Sequence, residues 1–154
     1  GLHYDLHATA DDTTLGTRSA PAELVPTLTA LRPDFVQTDC KGHAGYVSWF
    51  SETPGAAVPP GLAHDALADW RDATRALGVP LHCHYSGIWD MAATERRPEW
   101  RVIPADAVAG GANREWEGKV CPRSGYLDEL LLPQFRELVD RYGVDGFWVD
   151  GDLW

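Results

Sequence analysis

The sequence predicts an α/β fold: a partial (β/α)8 TIM barrel of four strands and three helices, truncated after the fourth strand. Strand-like and helix-like segments alternate along the 154 residues, which is typical of parallel strands joined by helical connections. Each predicted strand has one apolar face and one face with polar or titratable side chains, whereas a strand covered by helices on both sides is apolar on both faces. A complete barrel typically needs about 250 residues, so we expect residues 1–154 to form its N-terminal half.

The first part of the chain supplies two strands and the helix between them. Residues 2–7 alternate apolar and polar side chains, as expected for a strand with one buried face. Ser19 is predicted to cap a helix over residues 21–31, which begins with a proline, because its hydroxyl can accept a hydrogen bond from the first turn. Residues 35–41 form the second predicted strand.

The second part of the chain continues the same alternation. A helix is predicted over residues 64–77 and a third strand over residues 79–86. Residues 87–124 form a long excursion with short helical pieces at most, and loops of this length inside compact domains are usually functional. The third helix is predicted over residues 126–142, and the fourth strand over residues 144–150.

The composition argues against several classes of partner. The formal net charge of −10 and the pI near 4.8 disfavour nucleic acid and anionic membranes, whose phosphates attract Lys and Arg. The sequence has no apolar run near the roughly 20 residues of a membrane span. The cysteines Cys40, Cys83 and Cys121 have no CxxC spacing and are predicted to be free thiols.

The polar faces of the strands are expected to meet at the carboxyl end of the barrel, where substrate contacts concentrate. His7, Lys41, His43 and His84 lie at or just beyond strand ends. Asp150 ends the fourth strand, although Asp-Gly is also a common turn dipeptide. These groups suit a neutral, polyhydroxylated ligand, so we predict a carbohydrate substrate, no cofactor and no bound metal.

Asp150 is a candidate nucleophile of a glycoside hydrolase. Such enzymes need two carboxyl groups: one attacks the anomeric carbon or activates water, and the other protonates the leaving oxygen. The second group is not evident in the sequence, and half a barrel need not contain it. Further candidates for that role are Glu95, Glu99, Glu115, Glu117 and Asp152.

A metal-dependent hydrolase is an alternative for the same strands. His3, Asp5 and His7 alternate on one face of the first strand. His82 and His84 do the same on the third strand. Two ligands on one strand face suit zinc or a two-metal centre.

Two more observations widen the choice of function. Residues 5–13 resemble the opening of the metal phosphoesterases of the polymerase-and-histidinol-phosphatase type, but Thr9 stands where that family has its second histidine. A barrel that binds carbohydrate without cleaving it would also use donors and aromatic faces of this kind.

Several short segments resemble α-L-fucosidases, which are retaining glycoside hydrolases, and their uncharacterised relatives. Residues 147–151, Phe-Trp-Val-Asp-Gly, resemble the motif of the family's fourth strand. Residues 38–49 are similar to its Lys-His-His-Asp-Gly-Phe…Trp segment, and residues 85–90 to the Tyr-Ser…Asp/Glu-Trp turn after its third strand. Residues 2–7 and 121–126 look like segments of the relatives, so the resemblance covers nearly the whole chain.

The resemblance implies a catalytic barrel domain that hydrolyses an α-L-fucoside or a related glycoside with retention, with Asp150 as the nucleophile. The family's acid/base residue comes from a later part of the barrel. Two departures concern sugar specificity, since Gly42 replaces the first histidine of the family's pair and Ala44 replaces the aspartate after it. The residues predicted to contact the sugar are His7, Lys41, His43, Trp49, His84 and Tyr85.

Overall fold

The computed structural model describes residues 1–104 and 118–151, and it confirms the alternation of strands and helices. The strands form one sheet in the order in which they occur along the chain, and each neighbouring pair is parallel. They are β1 (Leu2–Tyr4), β2 (Val36–Lys41), β3 (Leu81–Ser86) and β4 (Gly146–Asp150).

The first helix, α1 (Pro21–Leu31), has the predicted bounds because a proline fits the first helical turn. Its predicted cap is wrong. Ala20 occupies the N-cap position without a side-chain hydrogen bond, and the Ser19 hydroxyl instead lies 2.6 Å from the carboxylate of Asp69. The helix therefore begins at the proline alone, while Ser19 links the preceding loop to the next helix.

The next two helices begin at aspartates. Asp65 caps α2 (Ala66–Leu77) by accepting a hydrogen bond from the third amide beyond it, and Asp90 caps α3 (Met91–Arg96) in the same way. The α3 helix and a 3-10 turn, Pro98–Trp100, are short helical pieces in the described part of the predicted excursion.

The last helix, α4, is continuous but not uniformly α-helical. Its ends, Leu127–Leu131 and Leu138–Tyr142, are π-helical, and the part between them, Leu132–Glu137, is α-helical. Pro133 accounts for the first π-helical end, because a proline has no N–H and its ring crowds the carbonyl four residues earlier. A wider turn relieves that contact.

The first strand is shorter than predicted. It ends at Tyr4, because the Leu6 amide donates to the Asp39 carboxylate (3.0 Å) rather than to a backbone carbonyl of β2. The Tyr4 ring packs against the Trp70 ring at 5.3 Å between centroids. The segment after β1, which carries His7, is therefore irregular and anchored by a side chain of β2.

The predicted division of the sheet into an apolar and a polar face is confirmed. The apolar face forms one core with α2 and α4, in which Val36, Cys40, Leu81, Cys83 and Tyr85 of the strands meet Leu67, Ala73, Leu130 and Leu138 of the helices.

None of the described helices is long and apolar enough to cross a membrane. The three cysteines are free.

The α1 helix borders a cavity and is largely exposed. Leu28 is the buried residue of that helix. A cavity of about 670 Å³ lies between α1, β1 and α2, with Leu2, Leu24 and Trp70 in its lining. This cavity is on the apolar side of β1, so it does not include the polar groups described next.

Candidate functional site

Four of the predicted site residues meet at the carboxyl end of the sheet. Asp150 closes β4 and His84 lies near the end of β3, while His7 and His43 come from the segments that follow β1 and β2. Asp150 Oδ2 lies 3.6 Å from His84 Nε2 and 3.9 Å from His43 Nε2. The His7 ring centroid lies 6.2 Å from that of His84 and 6.0 Å from that of His43.

Asp39 connects these residues from inside the sheet. Its side chain is 0% exposed, and the carboxylate lies 3.2 Å from His7 Nε2. It also accepts a hydrogen bond from the Leu6 amide (3.0 Å) and one from His84 Nδ1. Burial raises the pKa of the Asp39 carboxyl, although the hydrogen bond from His84 opposes that effect. We call the following five residues the histidine–aspartate cluster: His7, Asp39, His43, His84 and Asp150.

Ser86 and Trp89 hold His43 from behind. The Ser86 hydroxyl donates to the Trp89 carbonyl (2.7 Å), and a hydroxyl has only one proton, so Ser86 Oγ must accept from His43 Nδ1–H (2.8 Å). The Trp89 indole stacks on the imidazole with 5.6 Å between centroids. In the neutral ring, His43 Nε2 is therefore a hydrogen-bond acceptor that faces Asp150.

Burial lowers the pKa of His43 below its ordinary 6.5, and the Asp150 carboxylate opposes this only in part. We expect an NMR titration of the His43 ring to give a midpoint below 6.5, with a His43→Gln variant identifying the signal. This group should also make the fold less stable as the pH falls from 6.5 towards the lowered pKa, because only the unfolded chain binds the proton in that range. A midpoint of 6.5 or higher would contradict the geometry.

The structure does not support the predicted sugar contact of Lys41. A bulge in β2 pairs Asp39 with His84 but Lys41 with Tyr85, which turns the lysine to the helix side of the sheet. There its fully buried ammonium lies 2.6 Å from the Asp90 carboxylate. Regular alternation along β2 predicts Lys41 on the polar face, and the bulge moves it to the opposite face.

Trp49 and Tyr85 are also placed away from the cluster. Both side chains are fully buried in the core. The Tyr85 hydroxyl donates to Gln134, and its ring packs against Phe135 with 4.7 Å between centroids. Neither residue offers a face or a hydroxyl to a ligand at the carboxyl end of the sheet, so the structure does not support these two predicted contacts.

Asp39 and Ser86 were not among the predicted site residues. Alternation places Asp39 on the polar face, but an acid in the middle of a strand gives no sign of its partners. The useful signal is the register, because Asp39 pairs with His84 and Ser86 pairs with Asp150 across the sheet. Sequence alone does not contain that register.

The residues proposed as metal ligands are only partly brought together. The His82 ring stacks on Phe35 at 5.1 Å, near the amino ends of the strands. His3 Nδ1 lies 2.9 Å from Gln37 Nε2, which donates to it. His82 therefore does not join His84, and the predicted pair on β3 is divided between the two ends of the strand.

Four of the predicted metal ligands do lie close enough, together with Asp39, to hold a metal ion within the described part of the chain. Possible ligand atoms of His7, Asp39 and His84 lie within 4.8 Å of one another, and so do those of His3, Asp5 and Asp39. In the first group both imidazole nitrogens already face the Asp39 carboxylate. A metal ion there would have to displace these hydrogen bonds.

The two described candidates for a second catalytic carboxyl group lie at the surface. Glu95 is exposed on α3, and Glu99 pairs with Arg97 at the surface. The remaining candidates, Glu115, Glu117 and Asp152, lie outside the described residues.

Gly42 leaves room for His7. A Cβ atom at this position would lie 2.9 Å from Cγ of the His7 ring, closer than real side chains approach. A histidine at position 42, as in the family that the sequence resembles, would therefore displace His7 from its place beside Asp39. The departure at Gly42 and the position of His7 are linked.

Comparisons with known proteins identify relatives of the fold but no sequence family. No family model and no curated protein matches the sequence. Similar solved structures are α-L-fucosidases. One is α-L-fucosidase isoenzyme 2 from Paenibacillus thiaminolyticus, with 21% identity and a TM-score of 0.83 over 97% of this chain and 23% of that chain.

Two others are less similar. An α-L-fucosidase from Thermotoga maritima in complex with fucose has 21% identity and a TM-score of 0.64, over 92% of this chain and 30% of that chain. An α-L-fucosidase from Bacteroides thetaiotaomicron, a trapped covalent intermediate with 2-fluoro-fucosyl fluoride, has 21% identity and a TM-score of 0.63, over 92% and 29%. The chain thus spans 23–30% of the length of these enzymes, and its fold matches part of a fucosidase barrel domain.

Proposed function

We propose that residues 1–154 are the N-terminal half of a (β/α)8 glycoside hydrolase domain that cleaves an α-L-fucoside or a related glycoside with retention of configuration. The observation that carries this proposal is the carboxylate of Asp150 at the end of β4, faced by the imidazole nitrogens of His43 and His84 at 3.9 Å and 3.6 Å. An acid at the carboxyl end of a barrel strand is in the position where catalytic groups of this fold occur. The likeness of the fold to fucosidases supports the barrel and the class of sugar.

In the proposed reaction, an oxygen of Asp150 attacks the anomeric carbon, and the bond from that carbon to the leaving oxygen breaks. An acid from the rest of the barrel protonates the leaving group. Water then attacks the same carbon and transfers a proton to the residue that acted as the acid, and the bond between the carbon and Asp150 breaks. The trapped covalent intermediate of the Bacteroides enzyme supports this two-step course.

The sugar contacts of the proposal are His7, His43 and His84, whose rings border the carboxylate. His43 Nε2 accepts a hydrogen bond from a sugar hydroxyl, because its Nδ1 proton is directed to Ser86. Trp148, which is 61% exposed and lies two residues before Asp150 on the same face of β4, takes the place of Trp49 as the apolar surface for the sugar ring.

The stereochemistry of hydrolysis tests this function. Incubation of the complete protein with an aryl α-L-fucoside is expected to release the α anomer first, as followed by proton NMR, because two displacements at one carbon retain its configuration. Release of the β anomer would contradict the nucleophile. Sugar binding without turnover would favour a carbohydrate-binding barrel, and activity lost to a chelator and restored by zinc would favour the metal-dependent alternative.

A further inference from the structure

Asp39 is the residue of the histidine–aspartate cluster that a substrate cannot touch. Its side chain is 0% exposed, and two imidazoles and the chain after β1 lie against it. Burying a carboxylate is costly unless its oxygens are hydrogen-bonded. A polar network of this kind fixes the groups that it contacts. For Asp39 these groups are the imidazoles of His7 and His84 and the Leu6 amide.

We propose that Asp39 is a positioning residue that keeps the proton of His84 on Nδ1 and its Nε2 directed at Asp150. This inference rests on the proposed function of Asp150 as nucleophile. It assigns to Asp39 the selection of one tautomer and one ring orientation of the imidazole next to that nucleophile.

The hydrogen bonds of Asp39 support this role. One carboxylate oxygen, Oδ2, faces the Leu6 amide at 3.0 Å and His7 Nε2 at 3.2 Å. The other, Oδ1, receives His84 Nδ1. An ionised carboxylate has no proton to donate from either oxygen, so His84 Nδ1 is the donor in its contact with Oδ1. Nε2, on the other side of the ring, then carries a lone pair and can accept a hydrogen bond from a sugar hydroxyl beside Asp150.

The His43 ring is held on the other side of the site in the same way as the His84 ring. His43 and His84 direct Nε2 at the same oxygen, Asp150 Oδ2. Each ring is held through Nδ1 by a different partner, His43 by Ser86 and His84 by Asp39. The two imidazoles therefore present the same edge to the nucleophile.

The direct test is Asp39→Asn, which keeps the shape of the side chain. The amide group of asparagine would donate to Nδ1 and drive the proton of His84 to Nε2, and this exchange costs a serine protease about 10⁴-fold in kcat. We expect kcat of the complete protein to fall roughly 100-fold or more, with KM changed less than about 3-fold. Asp5→Asn is the matched control, because the Asp5 carboxylate also lies 3.1 Å from His7 but is 68% exposed. Equal effects of the two substitutions would overturn the proposal.

The tautomer gives a readout that does not depend on activity. In protein labelled with ¹⁵N-histidine, the ring nitrogen shifts should show the Nδ1–H form of His84 in the native sequence and the Nε2–H form in Asp39→Asn. The same tautomer in both would overturn the proposal whatever the kinetics. Reversed tautomers in a protein without glycosidase activity would support the role of Asp39 and refute the proposed function instead.

A second variant keeps the proposal testable if Asp39→Asn fails to fold. In His84→Asn the amide nitrogen takes the place of Nδ1 and retains the bond to Asp39, while Nε2 is lost. We expect this variant to unfold at nearly the native temperature, yet to lose as much kcat as Asp39→Asn. The double variant should have the same kcat as either single variant, because both substitutions remove the same contribution of the His84 ring. Near-native activity of His84→Asn would overturn the proposal.

Discussion

Replacing Asp150 by glycine is expected to reduce kcat of the complete protein by roughly 10⁴-fold or more, a loss typical of hydrolases deprived of their nucleophile. Without the carboxylate, the proposed attack on the anomeric carbon is lost. The fold should remain intact, because the side chain is 45% exposed at the end of β4. The hydrogen bond that the Gly87 amide donates to residue 150 (2.7 Å) involves the backbone carbonyl, which glycine retains.

Rescue by azide distinguishes a nucleophile from a residue that only binds the sugar. Azide can enter the space of the missing carboxylate and attack the anomeric carbon as the leaving group departs with a proton from the acid. The product is a glycosyl azide of inverted configuration, detectable by mass spectrometry and NMR. Asp5→Gly serves as the control for loss of a carboxylate in the same region, and it should hydrolyse at a nearly native rate. Rapid hydrolysis by Asp150→Gly without azide would show that another group attacks.

The parts of the fold that depend on local signals could be predicted from the sequence. The proline at the start of α1 and the glycine after α2, Gly78 with φ of +66°, mark helix ends within the chain itself. Alternation of apolar and polar residues assigned the two faces of β3 and β4, and hence the positions of His84 and Asp150. These signals depend on the backbone conformation of a few neighbouring residues, so no partner has to be known.

The errors arise where a distant partner decides the structure. The β1 strand ends early because a backbone amide is captured by Asp39, 33 residues away. Lys41 changes faces because of one extra residue in β2, and its partner Asp90 lies 49 residues further along the chain. The resemblance to fucosidases predicted Trp49 and Tyr85 as sugar contacts, but the direction of a side chain depends on packing, and in this chain both are fully buried.

The second large effect is expected on stability and comes from the ion pair of Lys41 and Asp90 behind the sheet. The side chains are 0% and 1% exposed, with 2.6 Å between Lys41 Nζ and Asp90 Oδ2. The Tyr126 hydroxyl lies 2.6 Å from the ammonium and 3.0 Å from the carboxylate. Burial lowers the pKa of Lys41, and the Asp90 charge opposes this effect. The ammonium therefore depends on Asp90 to remain charged inside the core.

The same pair holds the loop that carries His43. Asp90 caps α3 by accepting from the Ala93 amide (2.8 Å). The first amides of that helix donate back to the loop, from Met91 to the His43 carbonyl and from Ala92 to the Ala44 carbonyl, both at 3.1 Å. Damage to the pair should therefore weaken the position of His43 as well as the core.

Asp90→Asn is expected to lower the free energy of unfolding by about 3–5 kcal/mol, the usual cost of removing one partner of a buried ion pair. Asparagine still caps α3 but cannot neutralise the ammonium, and urea unfolding measures the loss. The double variant Lys41→Met/Asp90→Asn should be more stable than Asp90→Asn, because no charge then remains buried. Asp72→Asn, in the exposed pair with Arg75 at 3.4 Å, is the control, with an expected change below about 1 kcal/mol. A similarly small loss for Asp90→Asn would show that Lys41 is neutral in the folded chain and that its pairing does not hold the His43 loop.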